Sequence, residues 1–169
     1  EVVMPVLREV GEGWERGEMG VLHEHFVSSS FRGVLGEMLG PLSGQVSRTV
    51  VLACPPGELH DLPLELFGAM LHARSWRVVS LGANTPMTAV ADAVRILDAD
   101  ACVLAGVRRS VFESRVPSLT RLGRCAPVFL AGQGAVRLPE PPPMTVVLPP
   151  DLRAAADLVD EVARESAAG

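Results

Sequence analysis

Along residues 1–40 the apolar positions recur at helical spacing: Val3, Val6, Leu7 and Val10, then Val21, Leu22 and Phe26, then Val34, Leu35, Met38 and Leu39. Glycines at positions 11, 13, 17 and 20 interrupt this stretch and predict two helices, over 1–17 and 19–40. The turn-rich GPLSGQ (40–45) reads as a linker. Beyond it the period changes. Short continuous apolar runs predict strands at 48–55, 76–82, 100–107, 127–132 and 144–149. Amphipathic stretches between and after them predict helices at 62–74, 86–98, 110–122 and 150–166. A run such as RTVVLACP (48–55) is of the kind buried on both faces of a parallel sheet. Pro63 is compatible with the first turn of its helix. Strands separated by helices imply an α/β fold with a five-stranded parallel doubly wound sheet, flavodoxin/Rossmann-like, preceded by part of a helical bundle. The expected division is 1–42 for the helical segment and 46–169 for the sheet domain. LPEPPP (138–143) is a proline-stiffened surface connection.

Composition narrows the function classes. Hydrophobic residues make up 48% of the 169 positions, enough for a real core, but only 4% are aromatic and tyrosine is absent, so the core must rest on Val, Leu and Ala. The net charge of −5 and the lack of a basic stripe argue against direct nucleic-acid binding by this segment. Cys54, Cys102 and Cys125 are odd in number and far apart, in apolar strand-like runs, which predicts buried reduced thiols and a cytoplasmic setting. No apolar run reaches membrane-spanning length. The chain starts at Glu1, without methionine and inside a helical pattern, so a fragment of a longer protein is expected.

In a doubly wound sheet ligands bind beyond the carboxyl ends of the strands. The loops there are 54–62, 82–86, 106–110 and 132–134, which makes Gly82, Asn84, Gly106, Ser110, Gly132 and Gly134 candidate lining residues. His60 lies in the first loop, in CPPGELHDLP, between Glu58 and Asp61. It reads either as a solvated or helix-capping loop residue or as a metal ligand with Glu58 or Asp61 holding its second nitrogen. No second His or Cys stands at zinc-ligand spacing nearby, so one histidine suffices only where a macrocycle supplies the other ligands.

ELHDLP (58–63) resembles the Asp-x-His-x-x-Gly signature of domains that bind cobalamin with its own base displaced and a protein histidine on cobalt. Glu58 stands in place of the aspartate and Pro63 where glycine is frequent. SLGANTP (80–86), LAGVRRS (104–110) and LAGQGA (130–135) resemble the other loops of such domains. WERGEMGVLHEH (14–25) resembles the Trp-x9-Glu-His motif of the CarH/LitR group of light-responsive, MerR-related transcriptional regulators. The resemblance implies a sensory module, not an enzyme, whose cofactor is adenosylcobalamin. In it His60 would be the lower ligand to cobalt, with Glu58 and Asp61 beside it. Trp14 would lie near the upper axial group, and Glu24 and His25 against the adenosyl moiety. It further implies a homo-oligomer controlled by the ligand, and contact with DNA only through a domain absent from this chain.

Apart from the resemblance, Trp14 fits an ordinary bundle core position, and Glu24 and His25 a solvated helix face. Glu15 follows Trp14 where the group can carry a histidine, so a bis-histidine product from that position is not expected. Two other functions stay open. One is a corrinoid shuttle for methyl transfer, the other a related tetrapyrrole (bilin) sensor with Cys54 as attachment point. A receiver or nucleotide-binding domain is disfavoured: the first strand ends in Cys54-Pro55, not an acidic pair, and no Gly-x-Gly-x-x-Gly follows a strand.

Overall fold

The chain divides into two units, residues 1–40 and 41–169. The computed structural model describes residues 48–168, together with Gly33, and the following concerns the second unit. The helices expected over 1–40, the linker, and with them Trp14, Glu24 and His25 lie outside the described residues.

Five strands form the frame: β1 (Arg48–Ala53), β2 (Trp76–Ser80), β3 (Ala101–Ala105), β4 (Val128–Ala131) and β5 (Thr145–Val147). The helices are α1 (Leu62–His72), α2 (Met87–Ile96), α3 (Ser110–Glu113), α4 (Val116–Leu122), α5 (Gln133–Val136) and α6 (Leu152–Ala168). All pairings are parallel, in the order β2-β1-β3-β4-β5. This is the flavodoxin-like order expected from the alternation of strands and helices. The chain leaves β1 for β2 on one side and returns to β3 on the other. A crevice therefore opens beyond the carboxyl ends of β1 and β3.

Alternation along the strands divides the core into two layers. Val50 and Leu52 of β1 join Val103, Phe129 and Trp76 against Leu64, Phe67 and Leu71 of α1 and Ala156 and Val159 of α6. Val51 and Ala53 face the other way, with Cys102, Leu104 and Leu130, against Val90 and Val94 of α2, Phe112 of α3 and Leu119 of α4. Helices thus cover both faces, which is why β1 and β3 read as unbroken apolar runs.

At the amino end of the sheet one carboxylate ties α6 to two strands. Asp160 accepts the indole N–H of Trp76 at 2.7 Å and Arg74 Nη1 at 2.9 Å. The Asp160 backbone carbonyl accepts Arg48 Nη1 at 3.1 Å, and the Arg48 guanidinium lies 4.6 Å from the Trp76 ring centroid.

The structure corrects the sequence reading in three places. The single helix expected over 110–122 is two, broken at Ser114–Arg115. Pro117 has no N–H to give and sits in the first turn of α4, where none is needed, so the chain restarts rather than continues. A four-residue helix, α5, begins within the loop expected at 132–134. Cys125 is exposed, because it falls in the turn after α4 and not in a strand, whereas Cys54 and Cys102 are buried; all three are free.

The glycines of the loops after β3 and β4 meet each other closely. The Gly134 N–H donates to the Gly106 carbonyl at 2.8 Å. A Cβ on Gly134 would lie 2.6 Å from the Arg108 carbonyl carbon and 2.8 Å from the Gly106 oxygen, and both neighbours are backbone. A side chain there has to push the two loops apart. Gly134→Ala is expected to destabilise the domain by about 1–3 kcal/mol, a drop in Tm on the order of 3–10 °C by thermal melt. A variant that melts with the parent would mean that the loops yield freely.

Candidate functional site

His60 projects from the loop between β1 and α1, its side chain 64% exposed, while Glu58 beside it is only 2% exposed. Glu58 is the hub of the loop. Its Oε1 accepts His60 Nδ1 at 2.6 Å and the backbone N–H groups of Leu59 and His60 at 3.0 Å. Its Oε2 accepts the N–H of Val107 at 2.7 Å, from the loop after β3. Burial alone would raise the Glu58 carboxyl; the Val107 N–H, the His60 ring and the His60 amide outweigh it and hold the group below the usual carboxylate range.

An ionised carboxylate only accepts, so the Glu58 contact requires a hydrogen on Nδ1. In the neutral ring this leaves the Nε2 lone pair as the free donor. It is the tautomer a metal-bound histidine has when a carboxylate orients it from behind. Leu59 and Val107, 68% and 45% exposed, add apolar surface to the loops on either side of the Glu58–Val107 bond. Among the described residues no three His, Cys, Asp or Glu side chains gather to hold a metal ion.

The other expected site residues divide by role. Asn84, with φ of +52°, braces the histidine loop: its Oδ1 accepts the Gly57 N–H and its own N–H donates to the Glu58 carbonyl, both at 2.8 Å. Gly82 supplies the carbonyl for the Cys54 N–H, which links the loops after β1 and β2. Asp61 is buried at the N-cap of α1, so the carboxylate on the ring is Glu58. Gly106, Gly132 and Gly134 belong to the close contact between the loops after β3 and β4, with the space beside each taken by protein atoms. Ser110 is exposed and opens α3. Cys54 points its thiol at the His60 carbonyl, 3.7 Å away. Burial, then the charges of Asp61, Glu58 and Glu65, push that thiol up to about 12, which leaves little thiolate for covalent attachment of a chromophore.

Sequence reasoning missed three contributors. Val107 binds Glu58 through its backbone, Arg108 donates to the Gly57 carbonyl at 2.8 Å, and Arg115 donates to the Pro56 carbonyl at 2.9 Å. Their partners lie 49, 51 and 59 positions away, so no local pattern marks them.

A family model described as a B12 binding domain matches residues 1–38, the stretch that contains Trp14, Glu24 and His25. The chain is 37% identical over 141 residues to the HTH-type transcriptional repressor CarH of Myxococcus xanthus, an alignment that takes in 80% of this chain and 46% of that protein. It is 34% identical over 137 residues to the HTH-type transcriptional repressor CarA of the same organism, covering 79% of this chain and 46% of that one. The chain thus spans a little under half the length of the curated relatives it matches. In fold it is similar to the monomethylamine corrinoid protein of Methanosarcina barkeri, with a TM-score of 0.67 at 15% identity over 92% of this chain and 77% of that structure.

Proposed function

From the premise that this chain is a CarH-like cobalamin-binding region, we propose that it is the adenosylcobalamin-binding sensory module of a light-responsive transcriptional regulator. The observation that carries the proposal is the Glu58–His60 pair. Glu58 fixes Nδ1–H, so the Nε2 lone pair of His60 would be free to bind cobalt, and Leu59 and Val107 would offer apolar surface to a flat macrocycle. The lack of other clustered metal-binding side chains among the described residues agrees with a corrin that brings its own ring nitrogens. Adenosylcobalamin, when bound, supplies a cobalt–carbon bond that light cleaves.

By their match to the Trp-x9-Glu-His motif, Trp14, Glu24 and His25 would recognise the adenosyl group in this proposal. Glu15, a carboxylate, would not replace an imidazole as a cobalt ligand, so no bis-histidine product is expected from that position. Oligomerisation of this chain is the output, and operator recognition belongs to a DNA-binding part outside it. A bilin attached at Cys54 is disfavoured by the burial of that thiol.

The test is incubation of the purified chain with adenosylcobalamin in the dark, then absorbance and size-exclusion chromatography before and after illumination. Base-off, histidine-on absorbance and a light-dependent change of size are expected. A spectrum that stays that of free cobalamin at micromolar protein overturns the proposal. Preference for methylcobalamin, with no change of size in light, points instead to a methyl-carrying corrinoid protein.

A further inference from the structure

Arg115 stands at the break between α3 and α4, and its guanidinium serves two elements. Nη1 donates to the Val111 carbonyl at 2.9 Å and to Ser114 Oγ at 2.7 Å, which fixes the side chain on α3. Nη2 donates to the Pro56 carbonyl at 2.9 Å, across to the loop that carries His60. Arg108 Nη2 donates to the next carbonyl, that of Gly57, at 2.8 Å. From the opposite side Asn84 takes the Gly57 N–H and gives its own N–H to the Glu58 carbonyl. The Glu58 N–H donates to the Pro55 carbonyl. Every backbone donor and acceptor of residues 56–58 is therefore engaged, since proline has no N–H. None of these contacts touches the His60 side chain, yet together they fix the backbone from which Glu58 reaches both the ring and Val107. A short surface loop would ordinarily give such carbonyls to water, whereas here charge-assisted hydrogen bonds hold two in succession.

We propose that Arg115, seconded by Arg108, is a positioning residue for His60: gripping the Pro56 and Gly57 carbonyls, the two arginines hold Glu58 and the His60 ring in the ligating orientation before any ligand arrives. The ligand side of this inference rests on the cobalamin reading above, but the positioning itself is a property of the ligand-free chain.

The experiment labels histidine with 15N in the full chain. It reads the His60 tautomer by NMR without ligand, then titrates hydroxocobalamin by absorbance. The parent is expected to hold His60 mainly as the Nδ1–H form. Arg115→Ala is expected to move it toward the Nε2–H form that an unconstrained histidine side chain favours and to weaken hydroxocobalamin binding by about tenfold. Arg115→Lys restores part of both, because an ammonium reaches one of the three acceptors in place of the fork. Arg108→Ala, the loss of an exposed side chain, shifts both in the same direction by less. Should Arg115→Ala fail to fold, the Lys variant and Arg108→Ala decide the matter. Folded variants with the parental tautomer and the parental affinity overturn the proposal. Failure of the parent to bind hydroxocobalamin at all overturns the cobalamin reading instead, and the tautomer shift still tests the positioning role.

Discussion

Replacing His60 by alanine is expected to lower hydroxocobalamin affinity by on the order of 100-fold or more, since loss of a partner behind a metal ligand already costs about 10–100-fold. The fold should barely notice. The ring is 64% exposed, and Glu58 keeps the N–H groups of Leu59, His60 and Val107 when the ring is gone. Titration followed by absorbance measures the first effect, and a melting curve the second. Unchanged affinity with an unchanged spectrum would remove His60 from the site. A large fall in Tm would mean that its role is structural.

The largest loss of stability is expected far from that loop, from Asp160→Ala. Trp76 is 1% exposed, and its indole N–H has the Asp160 carboxylate as its acceptor. A buried donor left without a partner costs about 1–3 kcal/mol. The partly buried arginines Arg48 and Arg74, which solvent still reaches, add no more than about 1 kcal/mol. The sum of about 1–4 kcal/mol lowers Tm by roughly 3–15 °C. Asp157→Ala is the control: that carboxylate is 66% exposed and meets Arg74 alone, so its loss should leave the melt near the parental one. Equal effects from the two substitutions would show that the indole bond contributes nothing.

The parallel sheet was legible because its central strands are unbroken apolar runs separated by helices. Element ends were less so. Apolar character continues through Cys54 and Pro55, but the Cys54 N–H goes to the Gly82 carbonyl and the strand stops at Ala53. The helix over 110–122 kept its apolar period across Ser114–Arg115, so periodicity alone ran the two pieces together. Four-residue α5 is shorter than the window in which a period can be seen. At the candidate site the histidine and a choice of two carboxylates were visible in ELHDLP. Glu58, the carboxylate that meets the ring, is also held by Val107, brought there by β3, and that contact has no local mark. Asn84 was placed near the site by topology, but its task of holding the Gly57 and Glu58 backbone came only from its left-handed conformation. The arginines were counted as charge, and their acceptors are carbonyls that any sequence has.

The amides of residues 57–61 all donate within the protein: Gly57 to Asn84, Glu58 to Pro55, Leu59 and His60 to Glu58, and Asp61 to Leu59. Exposure of the His60 ring and freedom of its backbone are therefore separate matters. Fixing one residue's backbone takes about 1–2 kcal/mol of conformational entropy. For these five positions that loss is incurred when the domain folds, alongside the burial of the sheet, and not when a ligand reaches the crevice. An incoming macrocycle would thus need only to shed water and seat itself on a loop already rigid.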